Sequence, residues 1–381
     1  MKIDTPFQCV PLKEVVYFQE GPGLRNWQYG TSGIPFLNIR TLTDEGVVNK
    51  DLCQFVKEEE FRNKYEHFLL NAGDYVVSSS GTLGKLAEVR SQDLPVMLNT
   101  SVIRFRPLET DKLDRVFLKW FIKSPLYIRQ IEKASTGTAI KNYGPSHLKQ
   151  MIIPLPPLEE QRRIAAILDK ADGVRRKRKE AIALTEELLR SVFLDMFGDL
   201  FAFVRPGVKK HPKGFEKCLL GNQITLQRGF DITKSQCQEG LIPVISSGGT
   251  SAYHSEAKAT GPGVILGRKG SVGRVHYVES DYWPHDTTLW VREFNENNPI
   301  FVYYFFKEFP IASFEESTSN PTLNRNRLHP LEIFWPPIKR QEKFSEIFAS
   351  TMKLQHREKT NLSESYNLFN SLLQRAFRGE L

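Results

Sequence analysis

The sequence predicts a mixed α/β (α+β) chain with an internal pseudo-two-fold repeat. Two globular domains are joined by two long α-helices that pair as a coiled coil. Three observations predict this. Two proline-led stretches with helical periodicity each run for about 40 residues, well beyond an average globular helix. Short echoes recur in the same order in both halves. Between the helices the chain carries short β-type runs broken by glycine, proline, asparagine and serine. The resulting boundaries are 1–155 for the first globule, 156–200 for the first spacer helix, 201–335 for the second globule and 336–381 for the second spacer helix.

Pro156 and Pro157 stop an extended segment and suit a first helical turn, where a missing N–H has no partner to lose. Glu159 and Glu160 match the positive end of the helix dipole. Apolar residues then fall at heptad a, d and e places: Ile164, Ile167, Leu168, Ala171, Val174, Ala181, Ile182, Leu188, Leu189, Val192 and Met196. Gly198 is placed to stop the helix. Pro336 and Pro337 open the second copy. Its stripe is Phe344, Ile347, Phe348, Thr351, Leu354, Leu362, Leu368, Phe369, Leu372 and Ala376, ending near Gly379. Each helix would span roughly 60 Å at 1.5 Å per residue. Burying the stripes on each other hides both; the alternative is two separate surface helices.

Within the blocks, Val15–Gly21 answers Ile224–Gly229, and Gly33–Asn38 answers Leu241–Ser246. Ala72–Lys85 answers Gly261–Arg274, and Met151–Pro157 answers Leu331–Pro337. In the helices Gln161 answers Gln341. The third pair reads as strand, tight glycine loop, strand. A helix over Leu113–Lys133 has its counterpart over Ile300–Phe309, and Phe201–Gly214 reads as the linker into the second globule.

Across 381 residues the formal charge is +8, which favours a polyanionic partner, most often nucleic acid. No apolar run reaches the ~18 residues of a membrane span, and the N-terminus lacks the apolar core of a signal peptide. The expectation is a cytoplasmic protein with no membrane role. Four widely spaced cysteines fit reduced thiols, and the histidine spacing points to no structural metal.

No catalytic constellation stands out. The glycine loops Gly81–Lys85 and Gly267–Arg274 lack P-loop spacing and lead into strands, so no helix N-terminus faces a phosphate. They are hairpin turns, or turns that also touch a DNA backbone through Lys85, Arg268, Lys269 or Arg274. Leu155-Pro-Pro-Leu158 and Trp335-Pro-Pro-Ile338 lack the polar and stacking residues of an adenine methyltransferase motif. The segments Ser135–His147 and Ser317–His329 are polar, turn-rich and basic. Asparagine pairs with adenine and arginine with guanine, while lysine meets phosphate. Asn142, Tyr143, Asn324, Arg325 and Arg327 are the direct-readout candidates, with Lys141 beside them. Asn38 and Arg40, and their counterparts Ser246 and Ser247, are weaker candidates that serve equally well as cap or turn residues. The basic run Arg175–Lys179 reads as a solvated face, and the dipeptide His285-Asp286 with Trp120, Trp283 and Trp290 as packing and turn chemistry.

The ordered duplication, together with the P-P-L-E-E-Q-R-R-I-A-A-I-L opening, its echo P-P-I-K-R-Q-E-K-F-S-E-I-F and the G-D-Y-V-V-S-S-S-G-T-L-G stretch, resembles the specificity (S) subunits of type I restriction–modification systems over essentially the full length. Lys339 and Arg340 depart from the pattern, standing where the first copy has two glutamates. The resemblance implies that the two helices pair as an antiparallel coiled coil, and that the subunit is non-catalytic with no cofactor of its own. Two target-recognition domains would each read half of a bipartite, interrupted site in double-stranded DNA. Two methyltransferase (M) subunits and the restriction (R) subunits would bring S-adenosylmethionine, ATP and magnesium. Competing readings are the DNA-recognition subunit of a related type II system, a free-standing DNA-binding regulator, and a coiled-coil scaffold without a DNA role.

Overall fold

In a computed structural model, residues 4–82, 84–134, 143–198, 200, 211–314 and 322–381 are described. The chain divides into two compact units, 1–179 with 361–381, and 180–360. Each unit therefore holds one globule and half of each long helix. These helices are Leu158–Phe197 and Ile338–Ala376.

The two globules share one sheet plan. In the first, a four-stranded antiparallel sheet runs Val16–Glu20, Val102–Pro107, Tyr75–Ser78, Leu86–Glu88. In the second, the order is Thr225–Arg228, Thr288–Glu293, Gly263–Gly267, Val275–Val278. A smaller sheet beside each contains one parallel pair, Ile34–Leu37 with Met97–Leu98 and Ile242–Ser246 with Trp283–Pro284. A short two-stranded ladder ties the start of each globule to the segment before each proline pair, Cys9–Pro11 with Ile152–Pro154 and Glu216–Leu219 with Glu332–Trp335. The central strands are apolar and buried on both faces, as Tyr75, Val76 and Val77 are in one globule and Val264, Ile265 and Leu266 in the other.

The helix expected over Leu113–Lys133 is two helices, Arg115–Lys123 and Pro125–Ala134, because the residue before Pro125 cannot hold helical geometry comfortably. Its counterpart is Pro299–Glu308. Asp114 and Asn298 cap these helices, accepting from the N–H of Phe117 at 2.8 Å and of Ile300 at 3.0 Å. The repeated glutamine explains the joint to the long helices. Gln161 accepts from the Asp114 N–H at 2.8 Å and donates to the carbonyls of Lys112 and Pro156, both at 2.9 Å. Gln341 does the same work, accepting from the Asn298 N–H at 2.9 Å and donating to Pro336 and to the Asn297 side chain. Both glutamines are fully buried, so each amide needs these partners.

Pairing of the long helices is antiparallel in each unit. In the first unit, Ile164, Ala165 and Leu168 at the start of one helix share a core with Phe369, Leu373, Ala376 and Phe377 at the end of the other. In the second unit, Phe193 and Phe197 meet Phe344 with ring centroids 5.3 and 5.6 Å apart. The expected stripe is corrected in part. Val174, Leu188, Leu354 and Leu368 are exposed, Thr351 is buried as expected, and Asp172, Thr185 and Gln355 are buried in place of an apolar seam. The Gln355 amide donates to the Thr185 hydroxyl at 3.4 Å. The basic run is also less solvated than expected: Arg175 bonds Asp172 and lies over the Tyr366 and Phe369 rings, and Lys179 pairs with Glu45 at 3.2 Å. Trp120, Trp283 and Trp290 pack as expected.

Candidate nucleic-acid interface

In each globule four separate pieces of chain meet at one end of the main sheet. In the second, the N–H groups of Arg268 and Lys269 donate to the Thr287 carbonyl at 2.8 and 3.1 Å, and the Leu323 N–H donates to the Arg268 carbonyl at 2.9 Å. The Ser247 N–H reaches the Thr287 hydroxyl at 3.3 Å. The glycine loop, the strand connection at 285–287, the end of strand Ile242–Ser246 and the segment ahead of Arg325 are thus fastened together.

The first globule repeats two of these four bonds at the matching positions. The Ser79 N–H donates to Ser101 and the Tyr143 N–H to Ser79, both at 3.0 Å. Ser79 answers Arg268, and Tyr143 answers Leu323. The repeat seen in sequence is therefore a repeat of this loop cluster, not of the sheets alone.

The cluster sorts the candidates. Lys269, Arg274, Arg325 and Arg327 are exposed around it in the second globule, and Arg268 is half-buried. A guanidinium N–H of Arg268 donates to the Asp286 carbonyl at 3.4 Å. Arg40 is exposed in the first globule. Lys85 is paired with Asp44 at 3.3 Å. Asn38 and Asn324 act as caps: each side-chain oxygen accepts a backbone N–H, from Arg40 at 2.9 Å and from Asn326 at 3.0 Å. Ser246 and Ser247 sit at the hairpin turn, where the Ser246 hydroxyl donates to Gly249. Lys141 and Asn142 lie outside the described residues.

Tyr143 is a correction. It is 1% exposed, with its hydroxyl bonded to Tyr127 at 3.1 Å and to the Ser78 carbonyl at 3.2 Å, so it is a core residue that cannot stack on or bond a base. Burial raises the phenol pKa, which keeps it neutral. Its place in a basic loop sequence gave no sign of this.

Sequence reasoning set aside residues that the fold brings into the cluster. Arg228 forms an ion pair with Asp286 at 2.8 Å, and Asp286 lies beside His285. Asp231, His285 and Asp286 approach within 4.8 Å, a spacing that a cation could bridge. Both ring nitrogens of His285 are already engaged, by Thr287 at 2.9 Å and the Ile232 carbonyl at 3.2 Å, and Asp286 holds Arg228. His285 and Asp286 thus brace the loop cluster, with Asp231 exposed beside them.

Twin α+β domains on paired helical arms, each ending in the same basic loop cluster, define a duplicated recognition module. The chain belongs to the family of type I restriction modification DNA specificity domains, whose model matches residues 5–184 and 212–364. It is 28% identical over 200 residues to the type I restriction enzyme MjaVIII specificity subunit of Methanocaldococcus jannaschii, covering 51% of this chain and 46% of that protein. The chain thus spans less than half the length of that relative. Among solved structures, the type I restriction–modification S subunit from M. genitalium aligns with a TM-score of 0.57 at 17% identity, over 99% of this chain and 98% of that one. A chain from a structure concerned with complex assembly and conformational transition of the type I R-M system aligns with a TM-score of 0.63 at 18% identity, over 100% of both. At these identities the two structures share the fold. No helix among the described residues is long and apolar enough to cross a membrane.

Proposed function

We propose that this chain is the DNA-recognition subunit of a type I restriction–modification enzyme, working in the cytoplasm on a bipartite, interrupted site in double-stranded DNA. Each globule reads one half-site through its loop cluster. The helices set the interval, and the intervening base pairs are not contacted. Exposed Lys and Arg supply salt-dependent affinity, while side chains reaching base edges supply sequence choice. Chemistry belongs to the partners: methyltransferase subunits with S-adenosylmethionine, and restriction subunits with ATP and magnesium. The chain itself is non-catalytic.

The observation that carries this reading is the recurrence in both globules of the two backbone bonds that fasten the loop cluster, with Lys269, Arg274, Arg325 and Arg327 exposed around it in the second and Arg40 exposed in the first. Two equivalent reading ends in one chain match a site in two parts. The test is methylome sequencing of strains carrying the complete system. The wild-type chain should yield a bipartite motif, and replacing 201–335 with the corresponding domain of another family member should change one half-site only. A change in both half-sites, or a motif without an interruption, refutes it.

A further inference from the structure

The two domains place opposite chemistry at one equivalent position. The first strand of each main sheet ends in Glu20 in one domain and Arg228 in the other. Each is followed by a glycine pressed on the facing backbone. A Cβ at Gly21 would come within 2.5 Å of the Asn99 backbone, and one at Gly229 within 2.2 Å of the His285 carbonyl oxygen. No larger residue fits, so both strands run into the loop cluster along the same path. Glu20 borders the segment that follows Tyr143, with its Oε2 3.2 Å from where a Gly144 Cβ would lie. Arg228 borders the 285–287 connection through its bond to Asp286.

Glu20 is half-buried and has no hydrogen-bond or ion-pair partner among the described residues. Burial raises its pKa, as expected for a carboxylate taken from water without compensation. Such a group needs a donor. On a duplex a phosphate repels it, whereas a base amino group in the groove supplies such a donor. Cytosine presents N4–H₂ alone in the major groove, whereas adenine sets an N7 lone pair beside its amino group. Cytosine therefore suits a carboxylate. Arg228 offers donors only. Asp286 fixes its guanidinium through one nitrogen, leaving the remaining N–H groups for a paired acceptor, and guanine supplies one in O6 and N7.

We propose that Glu20 and Arg228 are specificity-determining residues for the two half-sites, Glu20 accepting from a cytosine amino group and Arg228 donating to a guanine. The inference rests on the DNA-recognition reading above. The experiment compares methylomes of strains carrying the full system with the wild-type chain, Glu20→Gln or Arg228→Gln. Glu20→Gln should relax one cytosine toward adenine, the base glutamine reads, in the half-site that the first domain controls. Arg228→Gln should relax one guanine in the other half-site, and the spacer should not change. In competition binding by the assembled complex, the wild-type preference of roughly 5- to 150-fold at that base pair should fall toward unity.

An unaltered motif, or a change in the wrong half-site, overturns the assignment and leaves the recognition reading standing. If a variant methylates nothing, the wild-type motif decides. A half-site lacking any G·C pair overturns the assignment for its domain, and one in which G·C substitution costs no affinity does the same. A wild-type strain with no bipartite motif overturns both proposals together.

Discussion

The most direct test of the helices as a measuring device is to lengthen both by one heptad. The structure says where to do it. The division between units falls between 179 and 180 in the first long helix and between 360 and 361 in the second. Seven residues inserted at both points leave the contacts inside each unit intact, including Phe193 on Phe344 and Trp120 on Phe369. At 1.5 Å per residue the insertion adds ~10 Å, about three base pairs at 3.4 Å each. A heptad rotates a straight helix by only ~20°, so the paired faces stay in register. Three base pairs rotate the far half-site by about 100°, since B-DNA turns once in roughly 10 base pairs. The DNA has to absorb that mismatch in torsion. The expected methylome therefore shows both half-sites unchanged, a spacer longer by about three base pairs, and slower methylation. Recognition of the original spacer at the original rate refutes the measuring role. Loss of one half-site alone shows that the heads do not act as a linked pair.

Three further outcomes follow from particular residues. Gln341→Leu keeps volume but strands the Asn298 N–H and two acceptors in a buried joint, so it should cost about 1–3 kcal/mol in denaturant unfolding; Gln161→Leu should match it. His329 accepts the Leu226 N–H at 3.0 Å, and burial first, then Arg325, holds its pKa below the ordinary 6.5. The folded state thus favours the neutral ring and the unfolded state takes up the proton first. Stability present above pH ~6.5 should be lost as pH falls toward the folded value, and His329→Gln should flatten the profile of thermal midpoint against pH. Lys269→Ala or Arg274→Ala should lower the slope of log affinity against log salt by about 0.9 each, without altering the motif.

The sequence by itself determined the architecture. Heptad spacing, proline pairs and ordered echoes locate both helices and both domains, because these signals depend on neighbours three, four or seven residues away. The matched Gln161 and Gln341 were visible too, though not their task, which requires partners some 45 residues distant in sequence. Tertiary structure alone decided which residues face outward. Tyr143 and Leu323 occupy one position, and only packing shows that both are interior. Asn38 and Asn324 turn their oxygens onto their own backbone, a choice set by local geometry. Arg228 meets Asp286 in one domain, and Glu20 meets the segment after Tyr143 in the other, only when pieces distant in sequence gather at the end of each sheet. The long helices show the limit from the other side. Leu188 and Leu368 keep the heptad period yet stay exposed, while Thr185 and Gln355 are buried. Periodicity fixes which residues share a helix face; which part of that face is covered depends on where the partner helix lies.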